Sequence, residues 1–185
     1  QRSAAQARKV DLRNAGVLHL TVLSDVDIQY LGKRLIANWR GVMSKDELPS
    51  TPMVGSYIVN MQGQHEGDQK GTHWVSFVFT KRPESVLFYF DSYGQPPPLE
   101  IEEFAKKAEA ALVYNSEDYQ AIDNQWCGWF DLYWLRNMQE NRNDLKAVVA
   151  KFGLQPNKYT LNEDIVRDFA TPLLKHLRRR KGITS

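Results

Sequence analysis

The stretch from 125 to 139 is apolar on nearly every side, and it limits the possible folds more than any other part of the chain. A helix that is hydrophobic all round is stable only when other elements cover all of its faces. We therefore predict a helix over about 125–139 at the centre of the core, with Asp123 or Asn124 as its N-terminal cap. Its apolar side chains are Trp126, Cys127, Trp129, Phe130, Leu132, Tyr133, Trp134, Leu135 and Met138.

Three strands are predicted ahead of this helix. Residues Ser56–Met61, His73–Thr80 and Val86–Asp91 are rich in β-branched and aromatic side chains, which favour strands. The segment 81–85 between the last two is short enough for a hairpin loop. Residues Tyr119–Ile122 are a further strand candidate.

Four more helices are predicted from the 3.6-residue period of apolar side chains. The first begins at a capping box formed by Ser24 and Asp27, and the second follows the prolines at 96–98. Two others lie near 144–152 and 162–179, the last perturbed by Pro172. The apolar stripes of the first two are Ile28, Leu31, Leu35 and Trp39, and Ile101, Phe104, Ala105, Ala108 and Leu112.

The whole chain, 1–185, is predicted to form one α+β domain. Its 185 residues, 42% of them hydrophobic, suit a single core, and no internal repeat or low-complexity linker divides them. Residues 1–15 are polar and Ala-rich and are predicted to form a loose N-terminal arm. No run reaches the roughly 18–20 apolar residues needed to cross a bilayer, and the first residues lack a hydrophobic signal region.

Cys127 is the only cysteine in the chain, which excludes an intrachain disulfide and an all-cysteine metal site. A lone cysteine is most often a small buried apolar residue. This one lies in the first turn of the predicted core helix, where unsatisfied amides and the helix dipole favour a thiolate. Gly128 beside it leaves room for a substrate carbonyl to approach. The position makes Cys127 a candidate nucleophile, and neither a cofactor nor a metal is expected.

His73 and Asp91 are predicted to face each other across the hairpin. If Thr80 pairs with Glu84, the antiparallel register places His73 directly opposite Asp91, where β-carbons lie about 4.5–5.5 Å apart. A slip by one residue would move the two side chains to opposite faces of the sheet. The pair is either a cross-strand polar contact or the orienting half of a catalytic triad. The same register pairs Phe77 with Leu87 and Val75 with Tyr89.

Cleavage of an acyl bond also needs hydrogen-bond donors for the developing oxyanion. The backbone amide of Cys127 at the helix start is one candidate. A side-chain amide just upstream is another, and either Gln120 or Gln125 could supply it. The alternative for either glutamine is a surface or capping role.

Taken together, these segments resemble the adenain-type cysteine proteases, which are adenovirus-like maturation proteases related in fold to SUMO-deconjugating enzymes. The resemblance rests on GTHW at 71–74, YFDSYG at 89–94, and Gln120 followed by Cys127 and Gly128. It runs from about Ser24 to Leu135. LSDVDIQYLGKRL and DELP, near the start of the matching region, look most like the proteases of virophages and Polinton-type transposable elements.

The resemblance implies a papain-like fold, in which a central mixed sheet packs with helices and the nucleophile begins a buried core helix. It assigns Cys127 as nucleophile, His73 as general base, Asp91 as the acid that orients it and Gln120 as the oxyanion-hole amide. Gln125 remains the rival for the last role. Trp74 would line the substrate site beside the histidine, and Gly128, next to the nucleophile, is the other expected substrate-binding residue.

Three departures from the family pattern accompany this resemblance. The acid is Asp91 instead of the Glu of the adenoviral enzymes. Asp131 stands where many relatives carry a second cysteine, and an acid in an apolar helix needs a partner. With Cys127 alone, the chain cannot accept an activating peptide by disulfide without losing its nucleophile.

The predicted tail, 175–185, concentrates positive charge in a chain of net charge +2. Cations at a helix C-terminus also suit the dipole, so a solvated helix end is one interpretation. An electrostatic handle for DNA or for an anionic membrane is the other. The resemblance to adenoviral proteases, which work on DNA inside particles, adds some weight to DNA, although the tail lies outside the matching region. The cations are Lys175, Arg178, Arg179, Arg180 and Lys181.

The expected function is a cysteine endopeptidase that matures capsid or other virion proteins, at sites that contain glycine according to the resemblance. We expect a monomer that acts in virions and in the cytoplasm of infected cells, is not secreted and binds no membrane. A SUMO or ubiquitin-like isopeptidase is the alternative with the same chemistry. A catalytically inactive protein- or DNA-binding module is the alternative from another class, and an acyltransferase on the same residues is more remote.

Overall fold

The computed structural model describes residues 20–63, 73–152 and 158–183. The predicted N-terminal arm, 1–15, and the first two residues of the GTHW segment, Gly71 and Thr72, lie outside the described residues. Within the described ranges, no helix combines the length and the apolar character that crossing a membrane requires.

Five strands form one mixed sheet in the order β1-β2-β3-β4-β5. The outer pairs, β1–β2 and β4–β5, are parallel, and the inner pairs are antiparallel. This mixed sheet with helices packed on it confirms the predicted α+β class. The strands are β1 Trp39–Ser44, β2 Gly55–Asn60, β3 Trp74–Thr80, β4 Val86–Phe90 and β5 Ala111–Tyr114. The helices are α1 Asp25–Leu35, α2 Leu99–Lys107, α3 Cys127–Glu140, α4 Leu145–Val149 and α5 Lys158–Arg180, with a 3-10 turn at Lys45–Glu47.

Helix α3 lies in the core as its composition predicts. It packs on one face of the sheet, against side chains that alternate along β3 such as Trp74 and Val78, and α1 and α5 enclose it. The other face of the sheet packs against α2. The helix begins at Cys127, two residues later than expected, and Asn124 contributes by accepting the Trp126 amide at 2.8 Å. Fully buried α3 side chains are Trp129, Phe130, Leu132, Leu135 and Met138.

Helix α1 has the predicted capping box but ends before Trp39. Trp39 instead begins β1, a strand that the sequence patterns do not predict. Its indole covers Gly32, where an added β-carbon would lie 2.4 Å from the ring. Trp39 therefore fits the apolar spacing of the helix by coincidence, and it contacts α1 from the neighbouring strand.

Strand β5 is a second strand that the sequence patterns do not predict. Leu112 fits the apolar spacing of α2 and is therefore expected to lie in that helix. The structure ends α2 at Lys107 and places Leu112 opposite Leu87 in the parallel ladder. The strand predicted at Tyr119–Ile122 is wrong, since these residues are irregular. Both amides at 119 and 120 donate to the Ser92 carbonyl, at 2.8 and 3.1 Å.

The hairpin register differs from the prediction by two residues. Thr80 pairs with Val86, so Phe77 faces Tyr89, and neither Val75 with Tyr89 nor His73 with Asp91 forms a direct pair. A local turn accounts for the longer loop, because the Thr80 hydroxyl bonds both the amide and the carbonyl of Arg82. A shift of two residues preserves the face of every side chain.

The last two helices agree with the prediction in place but not in length. Helix α4 covers only Leu145–Val149, whereas α5 begins at Lys158 and continues through Pro172 to Arg180. Tail residues 175–180 are therefore the end of a long helix.

Candidate active site

His73 and Asp91 are joined by a hydrogen bond although they are not a direct cross-strand pair. His73 Nε2 lies 2.8 Å from Asp91 Oδ1. The first residue immediately precedes β3 and the second immediately follows β4, so both lie where the strands end at the same edge of the hairpin. The Asp91 side chain is 1% exposed and the His73 side chain 21% exposed. The buried carboxylate therefore holds an imidazole that still reaches solvent.

The pKa of His73 is raised to about 10. Burial lowers the pKa, but the hydrogen bond to Asp91 and the interaction with Cys127 outweigh it. The imidazolium is thus the favoured form at neutral pH. Since Nε2 is bound to Asp91, the other ring nitrogen is left for Cys127, and Nδ1 is buried without a hydrogen-bond partner among the described residues.

Cys127 is the first residue of α3 and is 5% exposed. The hydrogen bonds of the helix begin at the Trp129 amide, which binds the Trp126 carbonyl at 2.9 Å. The amides of Cys127 and Gly128 therefore have no intrahelical acceptor. They are the donors that the start of a helix offers to an anion.

Gly128 has a packing role that the sequence does not indicate. A β-carbon added there would lie 3.3 Å from Ile28 Cδ1 and 3.5 Å from Leu23 Cβ. The missing side chain thus faces the core, and the expectation that it leaves space for a substrate carbonyl needs correction. The glycine instead allows α1 to pack closely against the first turn of α3.

Gln120 lies in the irregular segment that leads to Cys127 and is 1% exposed. Its Oε1 accepts a hydrogen bond from Ser92 Oγ at 2.6 Å. Its Nε2 donates to the carbonyl and side-chain oxygens of Asn124, at 2.6 and 3.1 Å. Both N–H groups are therefore engaged, and donation to an oxyanion would require one bond to be exchanged. The rival Gln125 is exposed.

Trp74 is buried and forms one wall of a groove of about 340 Å³. The register places Ser44, Asn60 and Trp74 in one row across β1, β2 and β3 at the end of the sheet. Trp74 follows His73 directly, but His73 is not among the described residues that line this groove. Its remaining walls are formed by Ser24, Asp25, Val42, Met43 and Glu47.

Tyr93 contacts the histidine, a role that its place in the YFDSYG segment does not reveal. Its ring lies over His73 with a centroid separation of 4.7 Å, and its hydroxyl donates to the Asn124 carbonyl at 2.7 Å. Burial and the charges of Cys127 and Asp91 raise the pKa of Tyr93 to about 12. Tyr93 therefore stays neutral and links the histidine to the Gln120 segment. Neither periodicity nor composition could have identified these long-range contacts.

Asp131 has the partner that an acid in an apolar helix requires. Ser76 Oγ on β3 donates to its Oδ1 at 2.9 Å, and both residues are fully buried. Burial raises the pKa of Asp131 well above its usual value. Asp131 lies one turn after Cys127, so this bond joins the helix of the cysteine to the strand that follows His73.

Two of the five tail cations bind α1. Lys181 Nζ lies 2.7 Å from a carboxylate oxygen of the buried Asp27, and the Arg180 guanidinium lies 4.1 Å from the centre of the Tyr30 ring. Burial raises the pKa of Asp27, but hydrogen bonds from Lys181 and Ser24 outweigh it and hold the pKa below its usual value. The end of α5 is thereby attached to the start of α1.

Among solved structures, a crystal structure of the selenomethionine form of the ASFV pS273R protease matches with a TM-score of 0.50 and 11% identity, over 76% of this chain and 66% of that one. The two share a fold. A second pS273R structure matches 65% of this chain and 58% of its own, at 14% identity and a TM-score of 0.47. The chain thus spans less than two thirds of the pS273R protease. The central domain of Lpg1148 from Legionella pneumophila matches 83% of this chain and 99% of its own, at 13% identity and a TM-score of 0.45. No protein-family model and no curated protein matches the sequence.

Proposed function

We propose that this protein is a cysteine endopeptidase with Cys127 as nucleophile and His73 as acid and base. One observation carries the proposal: Asp91 holds His73 through Nε2 at 2.8 Å, which leaves Nδ1 for the cysteine that begins the buried helix. A cysteine, a histidine and an orienting acid are the set that activates a thiol for acyl transfer. The fold shared with a viral protease supports this reaction class.

The geometry supports a sequence of steps in which His73 carries one proton. The sulfur of Cys127 attacks the scissile carbonyl carbon as the thiolate, with its proton held on His73 as the imidazolium. His73 then gives its proton to the leaving nitrogen as the C–N bond breaks, which leaves a thioester on Cys127. A water molecule transfers a proton to His73 as it adds to the thioester, and loss of the thiolate releases the carboxylic acid.

The oxyanion formed in both additions needs donors at the start of α3. The Cys127 amide supplies one, because it has no intrahelical acceptor. Gln120 supplies the other when one of its weaker Nε2 bonds, 3.1 Å to the Asn124 side chain or 3.4 Å to the Tyr93 hydroxyl, is exchanged for the substrate oxygen. Removing one such donor typically lowers kcat by about 10²–10³-fold. Gln120→Ala should show such a loss, whereas a Gln125→Ala loss of that size would assign the role to Gln125.

The proposed substrates are capsid or other virion proteins cleaved at glycine-containing sites, in virions and in the cytoplasm of infected cells. The resemblance to the proteases of virophages and Polinton-type elements supports this part of the proposal. The groove beside Trp74 would receive residues on one side of the scissile bond.

Cleavage of glycine-containing peptides by the purified protein tests the proposal. Cys127→Ala should abolish turnover and His73→Ala should nearly do so, because each removes a reacting group. Asp123→Asn, an exposed change near the site, is the matched control and should leave turnover intact. Cleavage that survives in Cys127→Ala would refute the mechanism.

Two further measurements separate the alternatives. Cleavage of a SUMO fusion, without cleavage of capsid proteins in N-terminal mapping, would favour an isopeptidase. Alkylation of Cys127 by iodoacetamide at pH 6 no faster than that of free cysteine would favour an inactive module.

We also propose that the tail binds DNA, through Lys175, Arg178 and Arg179, since Lys181 and Arg180 are bound to α1. Replacing Arg178 and Arg179 by Gln should weaken binding to duplex DNA and make it less sensitive to salt, by about one unit of slope for each phosphate that is no longer neutralised. The pair Lys106 and Lys107, exposed on α2, gives the matched control. Equal affinity in both double variants would contradict this role.

A further inference from the structure

Asn115 binds the main chain of the candidate catalytic acid with both ends of its side-chain amide. Its Oδ1 accepts a hydrogen bond from the Asp91 amide at 3.0 Å, and its Nδ2 donates to the Asp91 carbonyl at 2.7 Å. The same Nδ2 donates to the Glu117 carbonyl at 2.8 Å. One side chain thus binds both backbone groups of Asp91, and the Asp91 carbonyl also accepts from the Gly94 amide at 2.9 Å.

Asp91 has no strand partner to do this. The ladder to β3 ends at the pair of Ser76 with Phe90, and the ladder to β5 ends at the pair of Tyr89 with Tyr114. Asn115 directly follows Tyr114, the last residue of β5. Its side-chain amide takes the place of the backbone of a further β5 residue and continues the ladder as far as Asp91. The backbone of Asp91 is thereby held as if it still lay within the sheet.

The turn that follows Asp91 is packed against the same segment. Gly94 has φ +70, and a β-carbon there would lie 2.9 Å from the Ser116 carbonyl oxygen. This close approach brings residues 91–94 and 115–118 into direct contact. The two segments are thus packed together, and the side-chain amide of Asn115 is the group that bonds Asp91 itself across them.

We propose that Asn115 is a positioning residue, which fixes the Asp91 carboxylate against His73 Nε2. The inference rests on the proposed function for its effect on turnover. Asn115 is not placed near any reacting atom and acts through Asp91, whose Oδ1 must satisfy both His73 and the Tyr93 amide, at 2.8 and 2.7 Å. A displacement of about 1 Å at a catalytic group can reduce the rate by roughly 10²-fold.

The test compares Asn115→Ala with Ser116→Ala, an exposed neighbour whose side chain contacts neither Asp91 nor His73. In Asn115→Ala, kcat should fall by about tenfold or more while KM stays within about twofold, because the chemical step is affected and binding is not. Ser116→Ala should match the parent in both constants. An Asn115→Ala protein with parental kcat would overturn the proposal.

Two NMR measurements in a Cys127→Ala background keep the test independent of turnover. In this background Cys127 no longer affects His73, so the titration of His73 reports on its bond to Asp91. Adding Asn115→Ala should weaken that bond and move the His73 titration midpoint to lower pH. The Asp91 amide should also exchange with solvent faster. If the parent shows no Cys127-dependent cleavage, the proposed function fails. The titration midpoint of His73 still tests the positioning role in that case, and an unchanged midpoint in the Asn115→Ala variant would refute it.

Asn115→Asp serves if the alanine variant does not fold. The carboxylate keeps an acceptor for the Asp91 amide but places a second oxygen against the Asp91 and Glu117 carbonyls. Protection of the Asp91 amide should survive while kcat falls. Parental kcat in this variant would refute the inference as well.

Discussion

Asp91→Asn isolates the charge of the acid from its shape. Asparagine keeps an oxygen that can accept from both His73 and the Tyr93 amide, so the geometry of the site should be retained. What is removed is a buried negative charge 2.8 Å from His73 Nε2. That interaction is one of the two causes that raise the pKa of His73 from 6.5 to about 10 against the effect of burial.

The magnitude follows from the type of bond. A hydrogen bond to a charged group contributes about 1.5–3 kcal/mol, which corresponds to roughly 10- to 150-fold in rate. We therefore expect kcat/KM of Asp91→Asn to fall within that range. The loss should be smaller than in Cys127→Ala or His73→Ala, since both reacting groups remain.

The pH profile supplies the second readout. His73 must be protonated to release the leaving amine, so activity is lost as pH rises through the His73 pKa. Because removal of the Asp91 charge lowers that pKa, the alkaline limb of kcat/KM should move to lower pH. Asp123→Asn controls for a general loss of negative charge. A variant with kcat/KM within twofold of the parent and an unmoved alkaline limb would refute the assignment of Asp91.

Three further changes test the packing and charges around the site. Gly128→Ala should lower the melting temperature, because a β-carbon 3.3 Å from Ile28 Cδ1 overpacks the core at a cost of about 1–3 kcal/mol, which exceeds the gain in helix propensity of up to about 1 kcal/mol; an unchanged melting temperature would contradict this. Lys181→Gln should lower the free energy of unfolding at pH 6, because the buried Asp27 loses its cation. Since the pKa of Asp27 is lowered in the fold, the difference from the parent should be lost as the pH falls through that lowered pKa. Asp131→Asn should raise the free energy of unfolding at pH 7. Burial raises the pKa of Asp131, so folding at pH 7 must protonate or bury a carboxylate that is ionised in the unfolded chain, and asparagine avoids this cost. The difference should disappear below about pH 4, and a large destabilisation at pH 7 would instead show that Asp131 is ionised and paired.

The buried helix and the three inner strands were predictable because each carries its signal within its own residues. Helix α3 is apolar on all faces and begins within two residues of the predicted place, and β2 to β4 agree with the predicted strands to within one residue. The outer strands carry no such signal. Strand β1 contains Gly41 at positive φ and a register shift, and β5 has only four residues. Both are specified by their neighbours in the sheet.

The contact between His73 and Asp91 could be predicted although the register was wrong. A shift of two residues keeps His73 and Asp91 on one face, so the alternation of side chains still brings them together. The contacts of Gln120 with Asn124 and of Tyr93 with His73 could not be predicted, because they join irregular segments whose course depends on the whole fold. Only the residue types, a glutamine ahead of a cysteine and a tyrosine after an acid, were visible in the sequence.

The two-residue shift also explains why the acid needs support from outside the hairpin. In the predicted register, Asp91 would have been a ladder residue, held by backbone bonds to β3. In the structure it lies one position beyond the last pair with β3 and two positions beyond the last pair with β5, where a strand end would normally fray. A carboxylate on a frayed strand end would not stay 2.8 Å from the imidazole, so other groups must fix its position. The Asn115 amide on its backbone and the Tyr93 amide on its carboxylate supply that support, and for this reason the bond from Asp91 to His73 should be more sensitive to changes at 115 than to changes within β3.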